Sequence, residues 1–355
     1  MNRCRFILAI CIFLSAPFLA TAQVKYSNEF LNLGVGAKGL GMSGVMVSVA
    51  NDVTASYWNP AGLSWMENDN DLLLMHAEYF AGIAAYDYAG YAHRLDDRQV
   101  IAVNLLRFAV DDIPNTTLLI DNQGNINYNH ISYFTAADWA MLISYARKLQ
   151  VEGLSVGGNV KVIRRRIGDF ADAWGFGLDL GAQYRVKQWS FGLTAHDLTT
   201  TFNAWSQHMS MEEKEIFAAT GNELPENGLE YTRPHLSLGI SYLFQWKSDF
   251  TTQLALDAET FFDGKRHALV NGNIVSFSPA FGLETGYRQM VFLRAGVSNF
   301  QRETDFDNNG YISCQVNVGA GFCIKKHLFV DYAFTDLGDV SIALYSHVFS
   351  LRLVF

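Results

Sequence analysis

The stretch that most limits this chain is its end, Tyr345 to Phe355. Taken in steps of two, Phe355, Leu353, Leu351 and Phe349 form one wholly apolar face, and Val354, Arg352, Ser350 and Val348 form a mixed one. A period of two is that of a β-strand. A strand this apolar, with nothing after its last aromatic, is in water an open edge that invites aggregation. A closed barrel in lipid removes both difficulties, because the edge pairs with the first strand and the apolar face meets acyl chains. The competing reading is a buried strand of a soluble sandwich.

The other end of the chain favours the barrel. Arg3 and Arg5 precede an apolar run from Phe6 to Leu19, and Ala20, Thr21 and Ala22 supply a small-residue cleavage pattern. These features predict a secretory signal over residues 1–22 and a mature chain starting at Gln23. An uncleaved anchor helix is the alternative. Beyond this segment there is no run of roughly 18 apolar residues, so a chain that spans a membrane must do so with strands. The formal charge of -9, with no basic stripe among interleaved aromatics, excludes nucleic acid as a partner. Aromatic residues make up 14%, which suits girdles at the two membrane interfaces.

The pattern predicts an all-β, transmembrane antiparallel β-barrel of about fourteen strands over residues 69–355, preceded by an N-terminal hatch over 23–68. The first strand is expected at Leu72–Tyr79 and the last at His347–Phe355. Parity is clearest in the sixth. There Trp174, Phe176, Leu178, Leu180, Ala182, Tyr184 and Val186 alternate with Gly175, Gly177, Asp179, Gly181, Gln183 and Arg185. A slip of one residue would turn Asp179 and Arg185 into lipid, at a cost of up to ~2–4 kcal/mol for the arginine, so the register is well specified. The first, second and fourth strands have ambiguous parity. Links alternate in length, with the first, Phe80–Ala81, an exception and 166–173 of medium length: Lys187–Gln188, Gln289–Met290 and Lys325–Lys326 are short, whereas 109–138, 198–234 and 260–279 are long. Short turns on one side and long loops on the other are what outer-membrane barrels show, with the short side periplasmic. An even strand count then puts both termini in the periplasm of a diderm bacterium.

Several residues carry candidate chemistry. Lys161, Asp179, Arg185, Asp257, Glu259, Glu284, Arg288, Arg294, Asp331 and Arg352 are expected to face the lumen. They offer either a polar path or charge pairs that fill the barrel and hold a plug. Asp305, Asp307 and Asn309, followed by Gly310, resemble the start of a calcium loop, but Val316 stands where the closing acid belongs. A solvated turn is the other reading. Cys314 and Cys323 are nine residues apart on one expected strand and so face opposite ways, which excludes a disulfide between them. Ser210 and Glu213 have capping-box spacing for a short helix in the longest loop. Arg164, Arg165 and Arg166 could meet anionic lipid head groups or simply solvent. His196 and Asp197 are neighbours at a strand end, but no nucleophile goes with them by spacing, so no enzyme is expected. Nothing in the pattern calls for a cofactor.

The segment between Tyr26 and Met66 is rich in glycine and poorly periodic. Pro60 fixes a turn and pushes Asn59 toward an extended backbone. Ser27 to Leu31, Gly41 to Gly44, Asn51 to Val53 and Tyr57 to Leu63 together resemble the N-terminal signature of the PorV/PorQ family. That family is related to the FadL-type transporters of hydrophobic compounds, which share Asn-Pro-Ala in a hatch. The resemblance implies an outer-membrane component of type IX protein secretion, with the translocon or secreted cargo as partners at its outer loops. The more distant FadL likeness implies instead passive uptake of hydrophobic small molecules, with Asn59, Pro60, Ala61 and Gly62 gating the path. In both cases outer-membrane lipid surrounds the barrel. The ending with Phe349, Leu351, Leu353 and Phe355 resembles the signal read by the barrel assembly machinery.

Overall fold

The computed structural model describes residues 27–119, 125–219, 227–246, 249–262, 269–271, 275–304, 310–337 and 345–355. The expected signal, the hexapeptide that resembles a calcium loop up to Asn309, and the tips of several links lie outside them. Among the described residues seventeen strands are formed: β1 (Asn70–Tyr79), β2 (Ala84–Arg94), β3 (Gln99–Asn115), β4 (Ser132–Lys148), β5 (Leu154–Ile167), β6 (Ala171–Val186), β7 (Trp189–His196), β8 (Thr201–Gln207), β9 (Leu229–Thr232), β10 (His235–Trp246), β11 (Phe250–Phe261), β12 (Val270–Asn271), β13 (Ser276–Tyr287), β14 (Val291–Thr304), β15 (Gly310–Ile324), β16 (Leu328–Thr335) and β17 (Ser346–Val354). Three short ones, β8, β9 and β12, extend or flank their neighbours, which leaves a closed antiparallel wall of fourteen.

Closure is made by the two ends of the barrel sequence. β1 pairs with β17 over Asp71↔Val354 to Glu78↔His347. The Asn70 N–H donates to the Phe355 carbonyl at 2.9 Å, and the Phe355 N–H donates back at 3.1 Å. Each backbone group left unpaired in hydrocarbon would cost several kcal/mol, so this seam is what makes the wall viable there. Phe349, Leu351, Leu353 and Phe355 point outward and are exposed, while Val348, Ser350 and Val354 are buried inside. Trp174, Phe176, Leu178 and Leu180 of β6, and Leu236 and Leu238 of β10, likewise face out. Asp179, Gln183, Ser237 and Ser241 face in. A belt of this kind has acyl chains as its natural solvent.

The strands outrun the sequence expectation on the long-loop side. β3 and β4 continue to Asn115 and from Ser132, and their register shifts once, between Val110 and Ile113. The expected link 198–234 contains β8, a helix at Met211–Ala219 and β9. Ser210 caps that helix as its spacing implied: the Glu213 N–H donates to Ser210 Oγ at 3.2 Å, and Glu213 accepts from the Ser210 N–H at 2.7 Å. β6 pairs first with β7 (Leu180↔Ala195) and then with β8 (Phe176↔Phe202). The two are therefore one wall strand broken at Asp197–Thr200, where both end residues have positive φ. β9 and β10 are broken alongside it, at Arg233 and Pro234.

Residues 27–69 fold inside the wall. They form two short helices, α1 (Ala37–Gly41) and α2 (Ala55–Trp58), and 3-10 turns at Glu29–Asn32 and Pro60–Trp65. On one side this segment meets an apolar lumen face: Leu73, Met75, Tyr86, Tyr88, Leu106 and Leu142 pack with Phe30, Met42, Met46, Leu63 and Met66. On the other it lies on bare backbone. Cross-strand glycine pairs, Gly157↔Gly181, Gly192↔Gly239 and Gly282↔Gly296, leave room for it. A Cβ at Gly157 would stand 2.5 Å from the Pro60 carbonyl carbon, and one at Gly296 would run into Met42. Glycine is required there for close approach rather than for flexibility. Replacement of Gly157 by Val should dislodge the segment at a cost of about 1–3 kcal/mol. Limited proteolysis of purified, folded barrel should show faster cleavage within residues 27–69 than in the parent protein.

Candidate functional site

Asn59 ties the inner segment to the wall. Its backbone is extended, as the following proline requires, and its side chain caps the turn that begins at Pro60 by accepting from the Ala61 N–H at 3.2 Å. The amide donates to the Val47 carbonyl at 2.8 Å and to the Ala182 carbonyl of β6 at 3.1 Å. Gly62 packs so closely on the Ala50 carbonyl that a side chain would collide with it. Pro60, Ala61 and Gly62 are all buried. The Asn-Pro-Ala-Gly run thus acts locally as a latch.

The lumen charges group into three buried clusters. At the seam, Arg352 donates to both oxygens of Asp71, from Nε at 2.9 Å to Oδ1 and from Nη2 at 2.7 Å to Oδ2. Its Nη1 lies 3.9 Å from Asp52 of the inner segment, and Lys38 stands 4.0 Å from the same carboxylate. Burial opposes the Asp52 charge, yet Arg352, Lys38 and hydrogen bonds from Thr54 outweigh it and hold the carboxyl below the usual aspartate value. In the second cluster Arg294 joins Glu284 at 2.6 Å and Asp331 at 2.5 Å. In the third, Lys161 sits between Asp179, at 2.8 Å, and Asp197. Arg185 donates to the Ala50 carbonyl at 3.3 Å and covers the Trp65 ring.

Arg288 departs from expectation. It lies one residue past the end of β13, in a short turn with positive φ, and pairs with Asp249 at 3.4 Å in an exposed position. The strand's alternation has ended by that point, so parity no longer places the side chain in the lumen. The arginine run pairs within the protein, and Arg166 does so in an exposed position as a solvated strand end would. Arg164 pairs with Asp172, Arg165 with Asp138 at 2.9 Å and Glu230 at 3.4 Å, and Arg166 with Asp169 at 2.6 Å. All three are held by carboxylates of the protein. His196 stacks on His235, with ring centroids 4.5 Å apart, and Asp197 is taken by Lys161 and Thr201.

Between the inner segment and the long-loop end lies a chamber of about 580 Å³. Leu31, Leu33, Leu40, Val47, Tyr57 and Trp58 form its inner-segment side. The wall contributes a more polar arc that includes Lys161, Asp179, His235, Ser237, Asp257 and Asn317. Asp257 also clamps the inner segment, accepting from the Val47 N–H at 2.9 Å. The chamber had no sequence signature, since it is the space the inner segment leaves unfilled. A larger apolar hollow, about 980 Å³, lies on the outside of the wall between Trp189, Tyr242, Phe244, Leu254 and Phe281. In a bilayer that surface belongs to acyl chains.

Wall, inner segment and chamber together define a transmembrane β-barrel of the internally plugged kind. No known protein family matches the sequence, and no curated protein matches it. Solved structures do. The chain is similar to the CymD monoaromatic hydrocarbon channel, with 15% identity and a TM-score of 0.56 over 91% of this chain and 98% of that one. It is similar to the Pseudomonas putida toluene transporter TodX at 16% identity and TM-score 0.55, covering 91% and 99%. The Ralstonia pickettii toluene transporter TbuX gives 15% and 0.52, covering 91% and 98%. The likeness is one of fold, and neither these structures nor any family model or curated protein supports the PorV/PorQ resemblance.

Replacing Lys161 with Met would leave Asp179 and Asp197 buried without their cation. A loss of about 3–5 kcal/mol is expected. It should be read as a lower unfolding temperature of the detergent-purified barrel, larger than that of an exposed control such as Arg166→Met.

Proposed function

We propose that this chain is an outer-membrane channel that takes up hydrophobic small molecules through the chamber beside its inner segment. The observation that carries this reading is the chamber itself, with Leu31, Leu33, Leu40, Tyr57 and Trp58 presenting apolar surface inside the barrel toward its long-loop end. A concave site inside the barrel, apolar on its inner-segment side and polar on its wall side, offers a small molecule both kinds of surface. The similar solved structures, a monoaromatic hydrocarbon channel and toluene transporters, support it. On this reading the long loops face outward and both chain ends lie in the periplasm. The apolar final strand is then the face offered to lipid and to the assembly machinery. The type IX secretion role rests only on the short N-terminal resemblance.

Expression in an outer-membrane-bearing host that lacks its own uptake channels should raise the initial rate of labelled toluene uptake several-fold. Ser237→Trp, which fills the chamber from β10, should abolish most of that gain while leaving the amount of folded barrel in the membrane intact. Uptake at the host's basal rate, with co-purification of a secretion complex from the native membrane, would refute the channel reading in favour of secretion.

A further inference from the structure

We propose that the outer wall over β1–β3 docks a second copy of this chain through a charged notch in its lipid belt. The proposal does not depend on the channel reading above. On these strands the outward positions stop being apolar part of the way up. β1 turns out Leu74 and then His76 and Glu78, β2 turns out Tyr91 and Ala89 and then Asp87, and β3 turns out Val103 and Leu105 and then Arg107. The ladders set His76 opposite Asp87 and Asp87 opposite Arg107. His76 Nδ1 lies 2.7 Å from Asp87 Oδ1, and Arg107 donates to Asp87 Oδ2 at 3.2 Å and stands 3.5 Å from Asp111. Glu78, its side chain 67% exposed, reaches His76 at 4.0 Å.

The height of this row sets it apart. Exposed aromatics mark both rims of the outer face, Trp189, Tyr287 and Phe355 near the short turns and Trp174 and Tyr345 near the long loops. Asn70 is bonded to Phe355 at the first rim. At ~3.4 Å per residue and a tilt of ~40°, His76 stands about 15 Å above Asn70 and Glu78 about 20 Å, within an apolar band ~25 Å tall. Arg107, two strands along the tilted ladder from His76, comes out at about the height of Glu78. Elsewhere the band is unbroken there: Leu178, Leu238 and Phe281 face out, and Phe349 lies directly across from His76. Outward charge is destabilising in hydrocarbon, and ionisable groups at such depth normally face protein or water.

The order of the charges selects the occupant. Glu78 on β1 and Arg107 on β3 flank β2 at one height. A twofold axis along the bilayer normal through β2 keeps heights and exchanges sides. Glu78 then meets Arg107 of the second copy, and Arg107 meets Glu78 of that copy. A patch that carries both signs in this order is self-complementary, as an isologous contact requires.

The test uses full-length chains with Cys314→Ala and Cys323→Ala, co-expressed in an outer membrane. One chain carries Glu78→Cys and the other, differently tagged, Arg107→Cys, so the second Glu78–Arg107 contact stays intact. Oxidation with copper–phenanthroline should give a covalent dimer joining the two tags. Glu78→Cys alone, whose thiols lie on opposite sides of the axis, and Leu238→Cys on the far wall should stay monomeric. No joined dimer from folded chains, equal yields from Leu238→Cys, or a cross-link to a different protein overturns the proposal. Counting the bleaching steps of fluorescently tagged, otherwise unsubstituted barrel in dilute supported bilayers keeps the test decisive where a cysteine variant fails to fold. Two steps are expected, and one step overturns the proposal. Arg107→Leu should raise the dimer dissociation constant about tenfold or more.

Discussion

The pairing of β1 with β17 is the constraint on which the rest of the structure depends. Backbone amides cannot be left open in hydrocarbon, so a sheet in a bilayer must close on itself or fail. Closure brings together two segments about 280 residues apart, since Asp71 meets Val354. The ladder alone does not make the seam specific. Arg352 on β17 grips Asp71 on β1 and comes near Asp52 of the inner segment, so one guanidinium joins the two barrel ends and the segment they enclose. A buried charge group of this kind contributes little net energy compared with apolar packing, but breaking it by removing one partner is costly.

A closed wall of fourteen strands encloses more space than its own side chains fill, and the inner segment fills most of it. It does so by two different chemistries. Toward β1–β4 the contact is a hydrophobic core like that of a soluble protein, built on Phe30, Met42, Leu63, Tyr86 and Leu106. Toward β5–β15 it is backbone against backbone, with glycines on the wall and carbonyls of Met42, Val47 and Pro60 above them, pinned by Asn59, Gln183 and Asp257. The chamber is what remains on the long-loop side of this packing. The break at Asp197–Thr200 borders it, and the Lys161 cluster holds the wall together where the ladder is interrupted.

This division also explains which parts of the architecture can be read from residues alone. β6, β10 and β15 have polar or glycine residues facing in and apolar ones facing out, so their alternation is plain: Asp179, Ser237 and Asn317 against Leu178, Leu238 and Val318. β1 and β2 have no such contrast, because Leu73, Met75, Tyr86 and Tyr88 face an apolar inner segment while Leu74 and Tyr91 face lipid. Alternation vanishes where both sides of a strand are dry. The lumen positions of Arg294, Asp331 and Arg352 followed from parity, whereas Arg288 escaped it by lying just past a strand end. Asp138, Asp172 and Glu230 could not be linked to the arginine run, since they come from other strands or turns. The inward glycines of β6 were visible as a pattern, but what they accommodate was not. The chamber, a property of shape, left no mark in the order of residues.

In this structure the outward face is wetted by lipid while the inner segment is sealed from it. Single-tryptophan variants in bilayers of bromine-labelled phospholipid test this directly. A protein keeping only Trp189, which lies on the outer wall and is 43% exposed, should be strongly quenched; one keeping only Trp58, inside the barrel at the chamber, should not. Equal quenching of the two, or none at Trp189, would contradict the account.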